Sequence, residues 1–136
     1  MKKVFLAVAS LSLGLLMVGC GKKDKKTVDK KGYALRKAND FYASAKTILL
    51  ENNAGDIYTG TNKDTSVIVT GSMQTVTHKA LVALGEFEKN YLDDVSGELT
   101  VILDTQTNKF DCMTTDFTIN GVVVEWSSVA GAFVAL

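Results

Sequence analysis

The chain has 136 residues, with 15 Lys and Arg against 15 Asp and Glu, 46% hydrophobic residues, two Cys, one His and no Pro. That length allows one small domain, and a composition near the globular average excludes a fully disordered, collagen-like or disulfide-scaffold chain. A lone His and two distant Cys leave no zinc framework. No Walker loop, dinucleotide fingerprint or His-Glu-x-x-His motif occurs, so the sequence names no metal, no cofactor and no catalytic residue.

Lys2 and Lys3 precede an uncharged run over residues 4–18. As a helix these residues would measure roughly 22 Å at ~1.5 Å per residue, short of a ~30 Å bilayer core. The run therefore fits the hydrophobic region of a secretory signal better than a permanent membrane span. It ends in Leu16-Met17-Val18-Gly19-Cys20, which resembles the lipobox of bacterial lipoproteins, with Met17 where that pattern most often has Leu. The resemblance covers residues 1–20 and implies cleavage between Gly19 and Cys20, with a diacylglycerol joined to the Cys20 sulfur by a thioether. Two or three acyl chains would then hold the protein stably on a membrane.

Charge is distributed by segment. Residues 21–31 hold six Lys and two Asp, whereas residues 32–136 hold seven Lys or Arg against 13 Asp or Glu, so the zero total conceals a basic stem of +4 and a head of about −6. Such a stem cannot bury apolar surface and reads as a solvated tether of at most ~40 Å at ~3.6 Å per residue. Its Lys22, Lys23, Lys25, Lys26, Lys30 and Lys31 are candidates for contact with anionic head groups. Nucleic acid is a poor partner for an exported, acidic head whose stem lacks Arg and aromatic residues. The expected organisation is a signal over residues 1–19, a lipidated tether over 20–31 and a globular head over 32–136.

In the head, Ala34, Ala38, Phe41, Ala45, Ile48 and Leu49 recur at steps of four and three, predicting a helix over residues 27–52 that ends at Asn52-Asn53-Ala54-Gly55. Residues 55–64 read as a loop, 66–70 as a short strand and 77–92 as a second, weaker helix weakened by Gly85. Residues 98–104 alternate, with Leu99, Val101 and Leu103 on one face; a turn over 105–108 and a return strand from Lys109 make a hairpin. Asn120-Gly121 supplies the positive φ angles of a type I′ turn joining strands 115–119 and 122–126. That turn predicts pairing of Ile119 with Val122, Phe117 with Val124 and Thr115 with Trp126. The apolar tail, 129–136, is expected to form a last, buried strand. Together these elements predict an α+β fold in which an amphipathic helix packs on one face of a small antiparallel meander.

The rhythm of Gly97 to Asp104, Lys109-Phe110 and Thr118-Ile119-Asn120-Gly121 is similar to the globular heads of type IV pilin-like proteins of Gram-positive bacteria. That resemblance implies a pilus-associated subunit, although here the apolar run precedes Cys20 instead of staying to pack a fibre. Another class of function, a small extracytoplasmic hydrolase, would rest on His78 paired with a distant hydroxyl or carboxylate. Cys112 lies in a strand context that suits a small buried hydrophobe. Asp93, Asp94 and Glu98 gather around a turn without EF-hand spacing, as do Asp56 and Asp64 in the preceding loop. The leading expectation is a membrane-anchored envelope lipoprotein whose head binds an envelope protein or polymer, or serves as a structural component, without catalysis.

Overall fold

A computed structural model describes residues 29–136. Its longest element is helix α1 (Lys30–Gly55). All six apolar positions anticipated on its face are buried. Alanine at positions 34, 38 and 45 lets the helix lie close to the sheet, while Phe41, Ile48 and Leu49 fill the remaining depth. The helix runs three residues past the expected stop, because the carbonyl of Asn52 still accepts the amide of Asp56 at 2.6 Å. Asp56, at φ 57°, then turns the chain out of the helix.

Six strands follow: β1 (Ile68–Thr70), β2 (Met73–Thr77), β3 (Val95–Asp104), β4 (Lys109–Ile119), β5 (Val122–Ser127) and β6 (Ala132–Ala135). They form an antiparallel sheet in sequence order, a meander. Leu99, Val101, Leu103, Phe117, Ile119 and Val124 point toward α1 and share its core. Residues Lys31–Leu136 make one compact unit, and the α+β architecture of a long helix on one sheet face matches the sequence pattern.

The expected helix over 77–92 is instead three pieces. Thr77 closes β2, and its hydroxyl accepts the Ala80 amide at 3.1 Å, capping helix α2 (His78–Ala83). Gly85, at φ 89°, ends that helix, with the Glu86 amide reaching back to the carbonyl of Leu81 at 2.9 Å. A 3₁₀ turn (Lys89–Leu92) resumes the path toward β3. Strand β2 was not anticipated, because its two inward positions are Gln74 and Val76, a polar and an apolar residue.

Strand β4 is continuous across both expected hairpins and carries a bulge. Ser96 pairs with Thr118 but Glu98 pairs with Thr115, so Gly97 faces two residues, Asp116 and Phe117. The extra residue switches the buried positions of β4 from the even-numbered Cys112 to the odd-numbered Phe117 and Ile119. Asn120 and Gly121 have φ of 53° and 80°, and Ile119 pairs with Val122, as a two-residue primed turn requires. Pairing stops after Thr118 with Val123, however, so the expected Phe117–Val124 and Thr115–Trp126 partners are not part of the ladder. The bulge, with Asp116 at φ 48°, breaks the register there. Trp126 reaches further along, its Nε1 donating to Asp111 Oδ1 at 2.8 Å.

The tail does form a strand, but as an edge strand and not a buried one. Phe133 points inward, whereas Val134 and Leu136 are 42% and 60% exposed on the other face.

Candidate functional site

Of the residues singled out for anchoring, Gly19, Cys20, Lys22, Lys23, Lys25 and Lys26 lie outside the described residues. Lys30 and Lys31 occupy the first turn of α1, exposed, where the tether runs into the helix expected from residue 27. The remaining candidate residues fall into separate clusters.

The first cluster fastens the start of α1 to the start of β3. Lys37, one turn before Phe41, is 6% exposed. Its ammonium donates to Asp94 Oδ1 at 2.7 Å and sits 4.0 Å from the centre of the Tyr91 ring. Tyr33 donates to Asp94 Oδ2 at 2.6 Å, and Tyr91 donates to Asp40 Oδ2 at 3.1 Å. Burial works to raise the Asp94 carboxyl, but the hydrogen bonds and charge of Lys37 and Tyr33 outweigh it and hold the group below its ordinary value. Burial, reinforced by the Asp40 charge, pushes the Tyr91 phenol well upward. Every charged group here is answered by a neighbour, so the cluster is a clamp. No motif marked Lys37; the available signal was its place at a four-residue step between Tyr33 and Phe41 on the buried side of the helix.

Asp94→Asn is expected to destabilise the head by about 1–2 kcal/mol at neutral pH, since two hydrogen bonds lose their charged acceptor. Because the folded-state carboxyl is depressed, its contribution is complete above the unfolded value of ~3.9 and fades as pH falls through the lower folded value. Urea denaturation of the two proteins at pH 7 and pH 3 checks this: the gap between them should shrink at the lower pH.

At the other end of α1, Asn52 is buried and bridges Gln74, Thr59 and the amide of Tyr58, the last at 2.7 Å. Gln74 Nε2 in turn donates to the carbonyl of Leu49 at 3.3 Å. The buried Asn52 and the polar inward position of β2 thus explain each other: each side-chain amide satisfies the other where water is excluded.

His78 sits in the core between Phe41 and Phe117, ring centres 5.6 and 5.5 Å away. Its Nδ1 accepts the backbone amide of Leu99 at 3.2 Å, and burial pushes its pKa down to about 4. Among the described residues no hydroxyl, thiol or carboxylate is hydrogen-bonded to it; its neighbours are two phenyl rings and a strand amide. Cys112 is buried, and burial together with the Asp111 charge raises its thiol to about 12, which keeps it protonated.

The acidic residues near the turn diverge. Asp94 belongs to Lys37, and Glu98 accepts Lys63 at 2.7 Å. Asp56 accepts the Thr59 hydroxyl at 3.1 Å, and the amide of Asp64 is bound by Asn62. No group of three or more metal-ligating side chains forms among the described residues.

Among the described residues, no element covers the sheet face opposite α1 or the β6 edge. Pairing places Thr75, Ile102 and Asp111 in one row and Thr100 and Met113 in the next. Thr118 and Val123, then Glu125 and Val134, continue the face toward β6. Met73, Met113, Val123, Val134 and Leu136 are exposed apolar side chains on this face. Threonine, methionine and valine, interspersed with the charged Glu98, Asp104, Lys109, Asp111 and Glu125, supply contact area without a nucleophile, which suits recognition. Comparison with family models, curated proteins and solved structures yields no match to this chain.

Proposed function

We propose that the protein is an exported bacterial lipoprotein, acylated on Cys20, whose small α+β head acts by binding or as a structural component of the envelope. The observation that carries this reading is the sequence Leu16-Met17-Val18-Gly19-Cys20 at the end of a basic-then-apolar N-terminus. The head supports it in two ways: its strongest polar side chains are spent on holding α1 to the sheet, and its open face offers contact area. Among the described residues no helix is long and apolar enough to cross a membrane.

The mechanism is positional. Acyl chains on Cys20 fix the chain to one membrane surface, the Lys-rich stem sets its reach and adds attraction to anionic lipid, and the head meets an envelope protein or polymer at raised effective concentration. Metabolic labelling with a fatty acid, followed by membrane fractionation, tests this. The natural chain should take up label and sediment with membranes, whereas Cys20→Ala should lose both properties. Label persisting in the variant, or none entering the natural chain, overturns the assignment.

A further inference from the structure

The two edges of the sheet are treated differently. Strand β1 is three residues long, and the chain at Tyr58 to Gly60 is hydrogen-bonded beside its start, through Gly60 N to Val67 O at 3.0 Å and Val67 N to Tyr58 O at 2.9 Å. Strand β6 has no such neighbour among the described residues. It also lacks the usual protection of an edge: no charged residue and no proline occurs between Trp126 and Leu136.

The hydrogen-bond phase of β6 is fixed by its pairing with β5. Leu136 N donates to Val123 O at 2.8 Å, and Glu125 pairs with Val134 in the same register. The amide and carbonyl groups of residues 132, 134 and 136 therefore face β5, while those of Phe133 and Ala135 face away. These outward groups complement a second copy of themselves. An antiparallel approach sets Phe133 of one copy opposite Ala135 of the other, twice, with Val134 facing Val134 between them as a non-hydrogen-bonded pair.

We propose that the β6 edge is a homodimer interface in which two heads join their sheets antiparallel about a two-fold axis at Val134. The contact is isologous and closes on itself. On the open face it brings together Val134, Leu136 and Val123 of both copies, side chains that are exposed in the single head. Glu125, the nearest charged group on that face, lies three strand spacings from its counterpart, roughly 14 Å, beyond the ~8–10 Å over which salt screens charge. A four-residue strand pair is smaller than the ~1,200 Å² of a standard interface, so the dimer is weak and reversible in solution.

Sedimentation equilibrium of the full chain in mild detergent, over concentrations up to about 1 mM, tests the proposal. The natural chain should show a saturable monomer–dimer equilibrium. Val134→Lys should weaken it at least tenfold while leaving the melting temperature nearly unchanged, and Val69→Lys on the opposite edge should leave it intact. The register is tested by Val134→Cys in a Cys20→Ala background: Cα atoms at a non-hydrogen-bonded pair stand ~4.5 Å apart, within disulfide range, so oxidation should link two chains. A monomer at every concentration, open-ended growth, insensitivity to Val134→Lys, or a dimer that the cysteine does not crosslink would each overturn the proposal.

Discussion

Gly97→Ala is expected to destabilise the head by about 3–5 kcal/mol, far more than a glycine substitution at an ordinary turn. A Cβ at this position would stand 2.0 Å from the carbonyl oxygen of Asp116 and 2.5 Å from that of Thr115, and both obstacles are backbone. The φ of 74° adds a conformational cost for any L side chain. Relief by straightening the bulge is blocked, because Phe117 and Ile119 point into the core only by virtue of the extra residue, and a one-residue slip would expose both. Gly131 is the internal control: its φ is 65°, but a Cβ there meets nothing within 4 Å. Gly131→Ala should therefore cost only about 1 kcal/mol. Chemical denaturation of both variants decides the matter; equal losses would mean that close packing against β4 contributes nothing.

The same glycine shows where sequence reasoning reached and where it stopped. Periodicity identified the buried face of α1 residue by residue, since Ala34 through Leu49 all lie on one helical stripe. Asn120-Gly121 was equally readable, because few other pairs tolerate two positive φ angles in succession. Both signals are local. The bulge is not: Gly97 resembles any other glycine until Asp116, nineteen positions later, is brought against it. The clamp joins Lys37 to Asp94 across 57 positions, and Asn52 is matched to Gln74 across 22. In both, one polar residue makes sense only in the presence of the other. Taken alone, Asn52 reads as a helix stop, and Gln74 falls in a stretch, 71–76, to which the pattern assigns no element. The expected helix over 77–92 failed for a local reason, the positive φ of Gly85, which overrode the apolar spacing of Leu81, Leu84 and Tyr91. For the proposed interface, the apolar tail reads as a buried strand, and both its place at the edge and which of its amides face outward follow only from the pairing with β5.

His78 should make the head lose stability between pH 6.5 and pH 4. Burial is the main cause of its low pKa, about 4 against an ordinary 6.5; the Lys79 charge pushes the same way, while Glu98 and Asp64 oppose it. Protonation must occur at Nδ1, the atom that accepts the Leu99 amide, so charging the ring also breaks that hydrogen bond. In the unfolded chain the imidazole takes up its proton near pH 6.5, and in the folded chain only near 4. Between these values the unfolded state holds more protons, so stability is complete above about 6.5 and falls steadily as the pH drops toward 4. The full excursion corresponds to about 3 kcal/mol, at ~1.4 kcal/mol per pH unit. The loss precedes that of the Asp94 clamp, which begins only below ~3.9. His78→Asn isolates the effect, since it retains an acceptor for Leu99 but cannot titrate. That variant should be less stable than the natural protein at pH 7, having lost volume between Phe41 and Phe117, yet its stability should change less between pH 7 and pH 5. Urea denaturation at half-unit pH steps provides the comparison. If both proteins show the same slope, the ring does not stay neutral in the core, and the tight seat between two phenyl rings would have to open to water on protonation.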